Sequence, residues 1–182
     1  MALANKEEIT LGSGDLYLVE FTDVIPDDAT IEVEANRIGE LSDDTTLEYS
    51  CEWKEVQNSK GKVVKSFPIK EEVKLTADIL SWNTKTIDKM VQTGKVTEDE
   101  VNGIRTIEIG GIKNYINKYY FVHFVHTKDD GKKIRITLKG KNQNGLSLVF
   151  GAEATTIGCE FKAFSMNTED RLVKISEEVV GA

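Results

Sequence analysis

Apolar and polar residues alternate along most of the chain, and an alternation of period two predicts β-strands. Apolar residues occupy the odd positions from 47 to 53, and odd positions 63, 67, 69, 73 and 75 continue the alternation. Four turn-forming residues lie between the two runs, namely Asn58, Ser59, Lys60 and Gly61. The pattern predicts a long β-hairpin over about 47–75 with those four residues at its tip. Pro68 has no N–H to donate, which predicts an edge strand or a bulge there.

One helix is predicted over about 84–93, because apolar residues at i, i+3 and i+4 from Ile87 share one helical face. Asn83 or Thr84 can supply the N-cap oxygen. Gly94 suits the position just past the C-terminus. The sequence therefore places a single, well-delimited helix after the long hairpin.

Most of the remaining chain also has strand character. Further strands are predicted at residues 16–21, 119–125, 134–138, 146–150 and 157–163. The second of these is apolar on both faces, which predicts a central strand covered on both sides. Residues 97–100 match a helix capping box but allow one helical turn at most. The predicted fold class is mainly β with one flanking α-helix, a β-sandwich or barrel in a single domain of residues 1–182.

The net charge of the chain is −8, from 23 Lys and Arg against 31 Asp and Glu in 182 residues. Residues 1–60 contain 15 acids and 4 bases, whereas residues 61–182 contain 16 acids and 19 bases. This balance argues against a protein that binds nucleic acid through its phosphates. No apolar stretch approaches a membrane span. Two cysteines are too few for a disulfide scaffold, so a soluble protein of a reducing compartment is expected.

Few residues suggest chemistry. His123 and His126 are three apart on a strand, so their side chains point to opposite faces and do not chelate one metal ion. Cys51 and Cys159 share the apolar parity of their strands and are expected to be buried thiols. A calcium site at Asp43–Asp44 stays open, although it lacks a known loop spacing. With no catalytic motif in the chain, neither enzyme activity nor a cofactor is predicted.

A cluster of basic residues in the second half of the chain offsets the acidic first third. Its members are Lys128, Lys132, Lys133, Arg135, Lys139 and Lys141. A nucleic-acid patch is disfavoured, because no aromatic residues are expected to interleave on the same face. A solvated hairpin face is one alternative. The other is a contact between copies, in which a basic patch meets an acidic one head to tail. The long hairpin favours such contacts, since its apolar face needs a partner surface and its edges need pairing.

The order of these segments resembles the major tail proteins, or tail tube proteins, of long-tailed, non-contractile phages of Gram-positive bacteria. The resemblance begins at residues 9–21 with Ile25-Pro26 and continues through the hairpin and residues 73–82. It ends with residues 157–163 and 172–175, so it covers most of the chain.

This resemblance implies a tail-tube fold, in which six copies form a ring and rings stack into a hollow tube. Asn58, Ser59, Lys60 and Gly61 would be the tip of a hairpin that reaches the neighbouring ring. DNA would cross the lumen at ejection without specific binding, and the acids Glu48 and Glu52 are candidates to face it. The implied partners are other copies and the tape-measure, tail-terminator and distal tail proteins. The implied location is the virion tail, assembled in the host cytoplasm without membrane insertion.

Two alternatives remain open. One is a β-sandwich module that binds a carbohydrate or a protein ligand, with an aromatic platform of residues such as Trp53, Trp82 and Tyr119. The other is the inner tube protein of a contractile tail-like particle, because tube folds are shared between the two kinds of tail.

Overall fold

The computed structural model describes residues 12–42 and 44–179. Its strands are β1 (Asp15–Glu20), β2 (Thr46–Gln57), β3 (Val63–Ile79), β4 (Gly94–Asp99), β5 (Ile104–Ile109), β6 (Tyr120–Thr127), β7 (Lys133–Asn142), β8 (Ile157–Phe164) and β9 (Val173–Glu177). Its helices are α1 (Asp28–Ile31) and α2 (Thr84–Met90), and two short 3-10 turns lie at Glu34–Asn36 and Ile112–Asn114. The protein is mainly β and its sheets are antiparallel, as the alternation predicts.

The main sheet closes on itself. Its strands pair in the order β1-β6-β7-β8-β3-β2, β9 adds to β7, and β4 and β5 form a separate two-stranded sheet. The segment 37–42 joins the two sides of the main sheet. Ile38 N donates to Leu16 O of β1 at 3.0 Å, and Leu80 N donates to Glu40 O at 2.7 Å beside the end of β3. This circuit of backbone pairing makes the sheet a barrel.

Alternate residues of the barrel strands fill its interior. Buried core residues from these strands include Leu16, Leu18, Leu75, Ala77, Ile79, Tyr120, Val122, Phe124, Leu138, Ile157, Cys159 and Phe161. Helix α2 packs Ile87 and Met90 against this core. Strand β6 is also buried on its other face, where the Phe121 ring lies 4.8 Å from the ring of Phe21. The prediction of a central strand covered on both sides is confirmed.

The predicted long hairpin is present as β2 and β3, and most of it lies outside the barrel. Strand β8 pairs with β3 only over Lys74–Ile79, so residues 48–72 form a ribbon of two strands. We call residues 48–72 the arm and residues 53–69 the distal arm. At the rise of an extended strand, the arm reaches about 35 Å from the barrel. Two-stranded ribbons are marginally stable alone in water, so such an arm benefits from a partner surface.

Three predicted elements differ from the structure. Helix α2 ends at Met90, and Gly94 begins β4 instead of ending the helix. The capping-box residues 97–100 lie at the end of β4 and in the following turn, because pairing with β5 overrides the local helix preference. Residues 146–150 form no strand, although they alternate, because no neighbouring strand pairs with them among the described residues.

Helix α1 is an addition to the single helix expected from the sequence. It has four residues, and the side chain of Asp27 caps it by accepting a hydrogen bond from Thr30 N at 2.8 Å. A helix of one turn shows no helical periodicity, so the sequence pattern could not reveal it. Its last residue, Ile31, is buried.

The segment that closes the barrel depends on Gly39. Its φ is +130°, and an added Cβ would lie 2.0 Å from the carbonyl oxygen of Ser81. We expect Gly39→Ala to lower the free energy of unfolding by at least about 2 kcal/mol in urea denaturation. Gly61→Ala is the matched control, since Gly61 has φ +72° with nothing within 4 Å. Gly61→Ala should lower the free energy of unfolding by about 1 kcal/mol. Equal losses in the two variants would contradict the close contact between Gly39 and Ser81.

Candidate functional site

The arm exposes large apolar side chains. Tyr49 and Trp53 are 59% and 60% exposed, and Val64 and Ile69 are also more than half exposed. Single exposed apolar residues are ordinary, but this series runs along one ribbon without a covering element. The arm is therefore a candidate interaction surface.

A bulge distributes the apolar residues over both faces of the arm. Glu52 pairs with Lys70, but the next pair is Trp53 with Pro68, so Ile69 is an extra residue in β3. The predicted irregularity at Pro68 is confirmed. The bulge reverses the parity of β3 beyond it, which places Phe67 opposite Lys54 and away from the face of Trp53. The expected single apolar face of odd residues is thus wrong, because both faces of the arm carry apolar groups.

Both edges of the arm lack a neighbouring strand in the described part of the chain. The outer edge of β2 has none along Glu48–Gln57, and the other edge of the ribbon has none before β8 joins at Lys74. Unpaired N–H and C=O groups on a strand edge are templates for pairing with another chain. The arm can therefore contact a partner through its faces and its edges.

The four tip residues form an ordered turn. Asn58 Oδ1 accepts hydrogen bonds from the backbone N–H groups of Lys60 and Lys62, both at 3.0 Å. Gly61 adopts the positive φ that the turn requires. The tip is exposed and preorganised, so little conformational entropy would be lost when it docks.

The acids Glu48 and Glu52 lie on the same face of the arm. Glu48 is paired in register with Lys74, and the Glu52 carboxylate accepts from Lys70 Nζ at 3.0 Å. Glu72 continues this face and binds both Lys74 and Lys162, at 3.2 and 3.1 Å. The two candidate acids therefore stand in a mixed band of alternating charge.

Most of the predicted basic patch is neutralised within the subunit. Lys128 pairs with Glu177, and Lys132 pairs with Asp130. Lys133 and Arg135 converge on Glu32, each at 2.5 Å. These four cations already have carboxylate partners, so the patch does not present the free charge that the sequence suggests.

Glu32 is the centre of a charge cluster at the C-terminal end of α1. Its side chain is 10% exposed and also accepts from His123 Nε2 at 3.4 Å. Burial by itself raises the pKa of Glu32, but hydrogen bonds from Arg135, Lys133 and His123 outweigh burial and bring it to about 2. Burial lowers the pKa of His123, whose Nδ1 lies 2.8 Å from Thr137 Oγ1. The cluster ties the segment around α1 to β6 and β7.

Lys139 and Lys141 differ from the other basic residues, because they lie among aromatic rings. Lys139 Nζ is 4.0 Å from the ring centroid of Phe21, and both ammonium groups lie within 5 Å of the centroid of Tyr119. Lys141 Nζ also donates to Tyr115 Oη at 2.8 Å. The expectation of no aromatic interleaving is therefore wrong. These cation–π contacts stabilise the half-buried lysines without a carboxylate.

The aromatic residues of the alternative ligand platform have separate environments. Trp53 is exposed on the arm, whereas Trp82 donates its Nε1–H to Thr155 O and packs against the Phe150 ring. Tyr119 packs edge-on against Phe164. Each of the three rings thus belongs to a different part of the surface.

The two cysteines differ in exposure. Cys159 is buried as expected, and burial raises the pKa of its thiol to about 12. Cys51 lies on the arm and is partly exposed, which corrects the expectation that it is buried; both thiols are free. We expect one thiol per chain to react with a disulfide reagent at pH 8 in the native protein, and the second only after unfolding. Loss of the fast reaction in Cys51→Ser would assign it, and a fast reaction at Cys159 would contradict the burial.

Metal and membrane features were also sought in the structure. The described residues contain no group of three or more His, Cys, Asp and Glu placed to hold a metal ion. No helix among them has the length and apolar character to cross a bilayer. Of the calcium position left open at Asp43–Asp44, Asp43 lies outside the described residues.

The sequence matches no protein-family model, and no curated protein is significantly similar to it. The functional interpretation therefore depends on the surfaces described above and on the resemblance in segment order.

Proposed function

We propose that this chain is a structural subunit of a phage tail tube, which assembles into stacked hexameric rings around a conduit for DNA. Its proposed location is the virion tail, and its proposed partners are other copies and the tape-measure, tail-terminator and distal tail proteins. Glu48 and Glu52 remain candidates to face the conduit, where acids would let DNA slide past.

The arm is the observation that supports this proposal most strongly. A ribbon of about 35 Å with apolar side chains on both faces and unpaired edges is suited to contacts between subunits. The preorganised tip at Asn58–Gly61 would enter the neighbouring ring. In a monomer the apolar side chains of this ribbon stay in contact with water and do not stabilise the fold, whereas an assembly would bury them.

Sedimentation velocity over a range of protein concentrations tests the proposal. We expect species of six subunits and larger to grow with concentration. A ligand-binding module would instead remain a monomer and bind glycans on an array. Monomers that bind glycans would favour that second function, whereas large assemblies without glycan binding would support the tube.

A further inference from the structure

The distal arm carries cations that form no ion pair with any other residue that the structure describes. It contains four lysines and one acid, Glu55. The lysines are Lys54, Lys60, Lys62 and Lys65. All four are exposed, and none forms an ion pair with a carboxylate in the described part of the chain. Lys65 lies over the ring of Phe67. The distal arm is thus a basic docking element with a net charge of +3 and apolar groups beside the charges.

Residues 20–34 have the opposite character, and we call them the acidic segment. They contain six acids and no base. Asp28 and Glu32 are used within the subunit by Arg135. The remaining four are exposed and have no cation partner among the described residues, and they are Glu20, Asp23, Asp27 and Glu34. Exposed apolar residues accompany them, with Val24 at 74% and Val33 at 41%.

The two surfaces match in charge and in apolar content. The distal arm offers four lysines that form no ion pair in the described residues, together with exposed valines. The acidic segment offers four carboxylates that have no cation partner in the described residues, again together with exposed valines. Within one subunit no ion pair joins the two surfaces among the described residues. Complementary surfaces that form no contact within one subunit can bind each other between two subunits.

We infer that the distal arm of one copy docks on the acidic segment of a second copy, with Lys60 and Lys62 against Asp23 and Glu34. This inference rests on the proposed assembly and names the surface that receives the arm. It replaces the contact expected from the six basic residues of β7 and of the turn before it, because four of those six are neutralised internally. The Glu32 cluster then has a role in assembly, since it holds the acidic segment on the barrel.

Charge reversal tests the contact. The variants are Lys60→Glu with Lys62→Glu on the arm, Asp23→Lys with Glu34→Lys on the acidic segment, and all four substitutions together. Each pair should raise the concentration for half-maximal assembly at least tenfold at low salt, where surface charges are least screened. The combined variant should return to within threefold of the unmodified protein. Asp27 is left intact because it caps α1.

The matched control for the acidic-segment pair reverses two acids of the other hairpin, Glu100→Lys with Glu108→Lys, which change the net charge by the same amount and in the same direction. It should shift assembly less than threefold. Zero-length carboxylate–amine cross-linking of mixed light- and heavy-isotope copies provides a measurement that needs no substitution. It should join Lys60 or Lys62 of one copy to Asp23 or Glu34 of another.

The outcomes separate this inference from the proposed function. Assembly that is insensitive to both charge pairs, or a combined variant that stays dissociated, overturns the docking contact and leaves the tube proposal standing. Cross-links from the arm lysines to other acids overturn it in the same way. A protein that forms no assembly under any condition overturns both.

Discussion

A shortened arm is expected to abolish assembly while the subunit stays folded. The variant replaces residues 53–69 with Asn-Gly, a two-residue turn that joins the directly opposed Glu52 and Lys70. The removed residues contribute nothing to the buried core, which begins at Val73 on β3. We therefore expect no species larger than a monomer in sedimentation velocity, with a thermal midpoint within a few degrees of the full-length protein.

The control shortens the β4–β5 hairpin with the same Asn-Gly turn. Residues 100–103, which connect Asp99 of β4 to Ile104 of β5, are replaced with Asn-Gly. This variant should assemble as the unmodified protein does. Removal of Asn58–Gly61 alone should also block assembly and leave a folded subunit. Normal assembly of the variant without residues 53–69 would show that the distal arm is not needed for contacts between subunits.

Substitution of Glu32 by Gln is expected to cost about 3 kcal/mol of unfolding free energy at pH 7, because it leaves Arg135 and Lys133 without their shared, largely buried carboxylate. The pKa of Glu32 is held near 2, below its ordinary 4.5. A lowered pKa contributes stability that is fully present above pH 4.5 and is lost as the pH falls towards 2. The difference between the two proteins should therefore shrink as the pH approaches 2 in urea denaturation.

Glu178→Gln is the matched control for the charge cluster. Glu178 also accepts from Arg135, at 2.6 Å, but its side chain is 45% exposed. Exposed ion pairs contribute little, so we expect a loss of unfolding free energy much smaller than that of Glu32→Gln. A Glu32→Gln loss as small as that of Glu178→Gln, or one that does not change with pH, would contradict a central role for Glu32.

The local pattern of apolar, polar and turn-forming residues was sufficient to predict much of the fold. The alternation and turn residues predict the long hairpin and its tip, and Pro68 predicts the bulge beside it. The N-cap of α2 at Asn83 is also readable, since its side chain accepts from two backbone N–H groups. The alternation fails at 146–150, because pairing with a second strand decides whether an alternating segment becomes a strand.

The charge arrangement was much less predictable. Glu32 lies about a hundred residues from Lys133 and Arg135 along the chain, so no local spacing indicates their contact. The basic residues do cluster, but in the folded chain four of them form ion pairs with carboxylates, and Lys139 and Lys141 lie against aromatic rings. Four lysines without an ion pair in the described residues lie on the distal arm, two within residues 1–60 and two within 61–182, so charge counts over these two ranges cannot single them out.

Electron microscopy of the concentrated protein tests the central claim most directly. If the chain is a tail-tube subunit, negatively stained samples should contain hollow tubes of regularly stacked rings, with six subunits in end-on views. Isolated monomers at every protein and salt concentration, or closed particles without a lumen, would contradict the claim.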